Sequence, residues 1–512
     1  MKINKIYKYL TPVIVSGLVM ISLFSCTEKL DEPFEDESFT SDVDYTKGDN
    51  IVLPVLGAYY EMYNRGWEEP LTLGIRGDDV NAAGDQVPMQ EQDNFKYLPS
   101  HWNLRTLWEQ NYSDIINAFT AMDEVEKYRE AAGDDALADQ YVAECRVIRA
   151  YAYLNLARAF GKCIIIDKVD NIQNTPVSSK EEVMQYVIDE MDEVIPLLPD
   201  MHPNKRSDIK GGVTRYTAYA FQAIAYQEIE DYQGVVDATS EIINSGEYEL
   251  SDDFYHLFKK AGKLDDENIL EFQFSAFNSG TGPQFRHGFN PMGLAWNPVR
   301  TGAGGGWNFY EPTKKYIKFM LDRGETERLE TTVHWTPDGI SEIEDEWGEL
   351  PDWIDNYNRE GDEFINNPRK KWGAGKWIQP STELIEGRTL PGSNKNLIVI
   401  RYAEMLLMYA EALTRGATSN ISMSADEAVN LVRNRAGLDD LTGVTTEQVL
   451  DEKFAELATE WGIRYYDMVR TENVSELSHA GKTFTMDKAY YPVPANQVAD
   501  LPQLGEGEEE TE

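Results

Sequence analysis

Apolar positions recur along most of this chain at steps of three and four, the spacing that gathers them on one face of an α-helix. The pattern predicts helices over 112–129 and 138–160. In the second, Val142, Cys145, Ile148, Ala152 and Leu156 trace one face. Ala150, Ala157 and Ala159 leave room for close approach of a neighbour, and Gly161 supplies the C-terminal stop. A second hairpin is predicted to open at Ser178, with Glu181 three residues on completing a capping box. Its first helix should run to about Leu198, ahead of Pro199, and its partner, over 214–230, carries Ala218, Ala220, Ala223 and Ala225. A further helix is expected over 232–245, ending at Gly246. Towards the C-terminus, 402–415 precedes Gly416, and Ser424 with Glu427 opens a helix over 425–436. Thr445 with Gln448 opens another, from 447 to about 470. Hairpins recurring at roughly 30–50 residues predict a mainly α fold of tetratricopeptide-like hairpins, with an irregular helical bundle as the alternative.

Residues 277–400 break this rhythm. The stretch is rich in glycine and holds Trp296, Trp307, Trp335, Trp347, Trp353, Trp372 and Trp377, seven of the eleven tryptophans. Long loops in compact proteins are usually functional or disordered, and this density of tryptophan argues against disorder. A ligand face is therefore expected here. Trp108 and Trp461, each inside a helical pattern, are expected in the core.

The N-terminus carries a different pattern. Lys2, Lys5 and Lys8 precede an apolar run over 10–24 that ends in Leu23-Phe24-Ser25-Cys26. Basic, apolar, small and then cysteine is the order of a secretory signal peptide whose first mature residue is a lipid-accepting thiol. Fifteen helical residues rise only about 22 Å, short of the roughly 30 Å bilayer core, so cleavage and acylation of Cys26 are expected rather than a retained span. Two or more acyl chains suffice for stable membrane attachment. The organisation expected is a signal peptide over 1–25, a flexible acidic tether over 26–46 and a helical region over 47–275. A second region with a loop-rich insertion follows over 276–504, then an acidic tail over 505–512.

Charge narrows the partners. The chain has 89 acidic and 47 basic side chains, net −42, and loss of three lysines with residues 1–25 leaves −45. Such a body repels nucleic acid and anionic headgroups. The remaining cysteines, Cys145 and Cys163, lie near opposite ends of one predicted helix, about 22 Å apart, against the about 7 Å a disulfide tolerates. Both are expected as buried free thiols.

Several segments together resemble the SusD/RagB lipoproteins. They are Ile400-Arg401-Tyr402-Ala403-Glu404-Met405-Leu406-Leu407-Met408-Tyr409-Ala410-Glu411-Ala412, the stretch from Ala428 through Asn430, Arg433 and Arg435 to Gly437-Leu438, and Arg464-Tyr465-Tyr466-Asp467-Met468-Val469-Arg470. Tyr491-Pro492-Val493-Pro494 is similar to the family's closing motif. The blocks from Glu144 through Arg149-Ala150 to Gly161, and from Gly212-Val213-Thr214-Arg215 to Tyr248, are similar to its earlier helices. Trp461 between Glu460 and Gly462, and Glu327 ahead of Arg328-Leu329, depart from the pattern. The resemblance implies a mainly α, surface-exposed outer-membrane protein that captures an oligosaccharide and delivers it to a SusC-like TonB-dependent transporter. Some relatives handle peptides instead. The acids after Cys26 (Glu28, Asp31, Glu32) resemble the family's surface-export signal.

A sugar site needs flat rings for apolar C–H faces, with carboxylates, amides and arginine at the rim for hydroxyls. Trp296, Asn297, Trp307, Asn308 and Tyr310 supply that mixture on a glycine-rich backbone. The resemblance places the other binding stretch ahead of the first long helix, where Asp79, Asn81, Tyr97, Trp102 and Asn103 stand. For each tryptophan the competing reading is a ring that packs a loop against the helices, since large aromatics are highly buried on average. Signals for an enzyme are weak. The six histidines show no metal-ligand spacing, Gly375-Lys376 lacks a following Ser or Thr, and neither metal nor cofactor is expected. Acidic pairs such as Asp78-Asp79 would serve a glycoside hydrolase, but among 89 acids they read as solvated surface.

Overall fold

The computed structural model describes residues 43–64, 68–166, 169–274, 309–366, 371–383 and 394–505. Helices α1 (Val52–Tyr63) and α2 (Glu68–Gly74) lead into β1 (Val80–Ala82) and α3 (Val87–Asp93). Then come α4 (Trp102–Ala132), α5 (Asp135–Phe160), β2 (Lys162–Cys163), β3 (Ser178–Ser179), α6 (Lys180–Val194), α7 (Arg215–Glu228), α8 (Tyr232–Asn244), α9 (Phe254–Leu257) and β4 (Asn268–Phe272). The next described stretch holds β5 (Tyr310–Pro312), α10 (Lys314–Asp322), α11 (Glu327–Thr332), β6 (Val333–Trp335), α12 (Pro337–Trp347) and β7 (Trp372–Ala374). Last are β8 (Leu397–Arg401), α13 (Tyr402–Thr414), α14 (Ala425–Arg435), α15 (Thr446–Leu457), α16 (Ile463–Arg470) and α17 (Ala495–Asp500).

The helices stack largely in chain order. α5 packs on α4 and α6, α7 on α6 and α8 on α7; α13 joins the row against α8 and then packs on α14 and α15. The fold is mainly α with tetratricopeptide-like hairpins, and each described strand pair has only two strands. Antiparallel pairing of β4 with β8 ties the two sides of the 275/276 boundary together. One apolar core continues from Ile51 to Leu504 across that boundary. Gly161 closes α5 in the left-handed region, and Cys145 and Cys163 are buried free thiols whose pKa values burial pushes up.

Several helix boundaries differ from the sequence reading, three of them with a clear structural cause. α4 begins at Trp102, well before 112, because its inward face continues through Leu104, Leu107, Trp108 and Asn111. Buried asparagines hide that periodicity: Asn103 Nδ2–H donates to Thr72 Oγ1 at 2.9 Å, and Asn103 Oδ1 accepts from Gln92 Nε2–H at 2.9 Å. The capping box of α6 is Ser179 with Glu182, one residue later than expected, because Ser178 is engaged opposite Cys163 in the β2–β3 pair. The single helix expected from 447 to 470 is two, α15 and α16. Thr459, Trp461 and Gly462 between them all have positive φ, and a side chain at Gly462 would collide with the Leu73 carbonyl. Trp461 is core, as expected, but on a turn, its Nε1–H donating to Ile398 O at 2.6 Å.

The 277–400 stretch is less loop-like than its composition suggests. Its described part forms α10, α11 and α12 around a second apolar cluster that includes Tyr316, Leu329, Trp335, Trp372 and Phe454. Trp335, Trp372 and Trp377 are therefore packing residues.

Candidate functional site

The two stretches singled out from the sequence meet in one place. β1 pairs antiparallel with β5, setting Asn81 opposite Glu311 and Ala82 opposite Tyr310. Ala83 N–H donates to Phe309 O at 2.9 Å, which extends the pair to a position two residues after Trp307 in sequence. Trp296, Trp307 and Cys26 themselves lie outside the described residues.

Asp79 and Tyr310 are the foundation of the pair rather than its rim. Asp79 is only 2% exposed and Tyr310 is fully buried. Both reach Thr459 on the turn between α15 and α16: Thr459 N–H donates to Asp79 Oδ2 at 2.7 Å, and the Tyr310 hydroxyl donates to Thr459 O at 3.2 Å. Burial pushes the Asp79 carboxyl up to about 6, and the Thr459 N–H pulls it part of the way back. Next to it, Thr313 N–H donates to Asp79 O at 2.8 Å, and the Thr313 hydroxyl donates to Asp78 O at 2.6 Å. In this conformation neither Asp79 nor Tyr310 offers a surface to a ligand.

Asp78 is also buried, which corrects the solvated-surface reading of the Asp78-Asp79 pair. Burial pushes its carboxyl up, but Arg464 and Lys315 hold it below the ordinary value. Arg464 Nε lies 2.8 Å and Lys315 Nζ 2.6 Å from its oxygens. Asp78 is committed to Arg464 and Lys315, and Asp79 is bonded through Oδ2 alone, with Oδ1 buried and unpartnered. Neither carboxylate reaches the surface, where a hydrolase needs its acid and base.

Asn81, Tyr97 and Trp102 are the predicted residues that reach the surface, each partly exposed. Lys482 Nζ donates to Asn81 Oδ1 at 2.9 Å, and Asp93 Oδ2 accepts Ala82 N–H at 3.1 Å, so the strand edge is fixed from two sides. Trp102 stands on the first turn of α4 with its inner edge on the main core. Asn103 is buried, and Tyr97 packs its ring edge-on against Tyr491 at 4.7 Å. β1 and β5 thus form a braced two-stranded shelf that carries the Asn81 amide, while Trp102 is partly exposed on α4. Among the described residues no group of three His, Cys, Asp or Glu side chains could hold a metal ion. Sequence reasoning counted Trp353 in the tryptophan-rich stretch without choosing it as a site residue and passed over Tyr357; both rings stand exposed elsewhere.

The family motifs account for other contacts. Arg76 is buried with its guanidinium 4.0 Å above the Tyr491 ring and 4.2 Å above Tyr465. The Tyr491 hydroxyl donates to Thr72 O at 2.6 Å, so the closing motif locks the segment that enters β1.

Comparison with known proteins covers nearly the same span. A model of the SusD family matches residues 266–504, and a model described as "Starch-binding associating with outer membrane" matches 41–226. SusD-like protein P2 of Formosa agariphila is 24% identical over 502 residues, covering 90% of each chain. Among solved structures, a laminarin binding SusD-like protein superposes with a TM-score of 0.73 at 21% identity, covering 88% of this chain and 96% of that one. Surface glycan-binding protein A from Bacteroides thetaiotaomicron, in complex with laminarihexaose, does so with 0.73 at 23% identity, covering 89% and 98%. Two family models matching in succession, in the order of the motifs and on the same helical fold, establish that the chain belongs to the SusD/RagB family.

Proposed function

We propose that this protein is a non-catalytic, surface-exposed lipoprotein that captures a neutral oligosaccharide and delivers it to a TonB-dependent transporter of the outer membrane. The observation that carries this reading is the likeness, over nearly the whole chain, to proteins named for binding glycans. Asn81 and Trp102 are partly exposed, and β5, the partner of the strand that carries Asn81, follows Trp296 and Trp307 in sequence; this supports a ligand face assigned to these four residues. Asp79 and Tyr310 support it from beneath. Rings stack on the sugar's C–H faces while the amide bonds its hydroxyls. A net charge of −42 disfavours polyanionic glycans. Acylated Cys26 and the 26–46 tether hold the body at the outer surface. Modest affinity suffices there, because a neighbouring transporter sees the captured ligand at high effective concentration.

The test is affinity electrophoresis of residues 27–512 in gels containing laminarin, amylopectin, xylan or mannan. Retardation in at least one gel is expected, and Trp102→Ala should weaken it at least tenfold. Retardation in none of them, with peptides recovered by mass spectrometry from protein purified out of membranes, would replace glycan capture with peptide capture. Metabolic labelling with palmitate, lost in Cys26→Ala, checks the anchor. Co-purification of a large barrel protein from outer membranes checks the partner.

A further inference from the structure

A pocket of about 160 Å³ lies between α11, β6 and the segment that follows α12, built from residues other than those of the shelf. Two large rings at its mouth are left in solvent: Trp353 is 38% and Tyr357 50% exposed. Tryptophan is on average highly buried, and the neighbouring Trp335, Trp372 and Trp377 follow that rule.

The frame holding these rings is rigid. Tyr357 and Glu363 form an antiparallel bridge. Asn358 N–H donates to Asp362 O at 3.1 Å and Gly361 N–H to Asn358 O at 3.0 Å, with Gly361 at φ 83° turning the tip. Ser381 N–H donates to Asp362 Oδ2 at 2.7 Å and anchors the hairpin to the body.

Polar groups are equally fixed. Arg359 meets Glu330 through two parallel bonds, Nε to Oε1 at 2.9 Å and Nη2 to Oε2 at 2.6 Å, and its guanidinium lies 4.8 Å above the Tyr255 ring. A second carboxylate, Glu327, lies 2.7 Å from Nη2. The positive charge is already compensated, so an anionic ligand gains little here, while the remaining N–H and carboxylate oxygens still suit hydroxyls. Trp335, 3% exposed, lines the pocket, and its buried Nε1–H has no hydrogen-bond partner. A buried donor left unpaired is costly, and a hydroxyl or water in the pocket would relieve it.

We propose that this pocket is a second carbohydrate site that takes one neutral pyranose unit, with Trp353 and Tyr357 stacking on the ring and the Arg359–Glu330 pair bonding its hydroxyls. It rests on the glycan-capture reading. The volume sets the size: about five waters' worth at roughly 30 Å³ each, well under the roughly 300 Å³ at which pockets for drug-sized ligands begin. The space within the pocket is on the scale of a single sugar ring. Two contact points on one polymer would raise its residence on the surface beyond what either site gives alone.

The test uses residues 27–512 labelled with 5-fluorotryptophan, the Trp353 resonance assigned from Trp353→Phe, titrated with the methyl glycosides of glucose, galactose, mannose and xylose. At least one should shift Trp353 saturably. That shift should persist in Trp102→Ala and weaken at least tenfold in Tyr357→Ala, with unchanged circular dichroism showing that both variants fold. No saturable shift with any of the four sugars, or a shift indifferent to Tyr357→Ala, overturns this site. Gel retardation that depends on Trp102 is a separate result, so failure of the second site and failure of glycan capture are read independently.

Discussion

The two ends of the helical row are held together by different physics. From Ala143 on, α5 is buried except at Arg146 and Arg158, and small residues such as Ala150, Ala157 and Ala159 let α4 and α6 approach on either side. Its buried charges, Glu144 and Arg149, are met singly by Arg206 and Glu190. Around α15 the interior is ionic. Buried Arg328 meets Glu325, Glu452 at 2.7 Å and Glu456 at 3.3 Å. Arg401 meets Glu267 at 2.7 Å, Glu460 at 2.9 Å and also Glu456, which in turn binds Arg435. Burial pushes the Glu456 carboxyl up, but Arg435, Arg401 and Arg328 together hold it well below the carboxylate range. These contacts join residues brought from β8, α11, α14 and the turn before β4. Apolar packing suits neighbours in sequence, whereas a directional ionic network fixes segments that the chain delivers from far apart.

The largest break in this comparison should come from Glu456→Gln. It leaves three buried guanidiniums undercompensated and should cost about 3–5 kcal/mol in urea unfolding. Because the folded pKa is depressed, the contribution of Glu456 is present above the unfolded value near 4 and is lost as pH falls through the folded one. The cost of the substitution should therefore shrink in acid. Ile148→Ala, inside the apolar row, should cost about 3 kcal/mol through the cavity it leaves, with no change in the pH dependence of stability.

Glu404 sharpens the contrast where the regions meet. It lies on α13 and lines a small internal cavity with Asn155 and Arg158 of α5. Burial pushes its carboxyl up to about 7, while Lys453 and Arg158 pull it back in part. A raised folded pKa means that the penalty is absent below the unfolded value near 4.3, grows as pH rises, and is complete above about 7. Glu404→Gln should therefore stabilise the protein by about 2 kcal/mol at pH 8, and by nothing measurable near pH 4, in paired thermal melts. The smallest effect belongs to the exposed pair of Lys318 and Asp322 on α10. Lys318→Ala should change stability by less than about 0.5 kcal/mol, which would separate buried from surface ion pairs within the same half.

The hairpins were legible because their apolar positions keep the helical period and their ends carry local signals. Ser424 with Glu427, Thr445 with Gln448, and Gly161 stand where such signals predict. The break after α15 was not legible: Glu460-Trp461-Gly462 continues the helical pattern, and the turn exists because Glu460 is drawn to Arg401 and Lys376 while Gly462 passes against Leu73. For the candidate site, composition located the region and family resemblance named its residues. Neither could tell Asn81 and Trp102, which reach the surface, from Asp79 and Tyr310, which face Thr459.

The sequence by itself determined the mainly α fold, the positions of most helices, the family and the segments that meet at the shelf, because period, caps and motifs are local properties of the chain. Only the tertiary structure decided which aromatic rings and carboxylates stay in solvent and which are buried as supports. That choice depends on partners hundreds of residues away, such as Thr459 beneath Asp79 and Tyr491 beneath Arg76, and on the desolvation that only the assembled interior imposes.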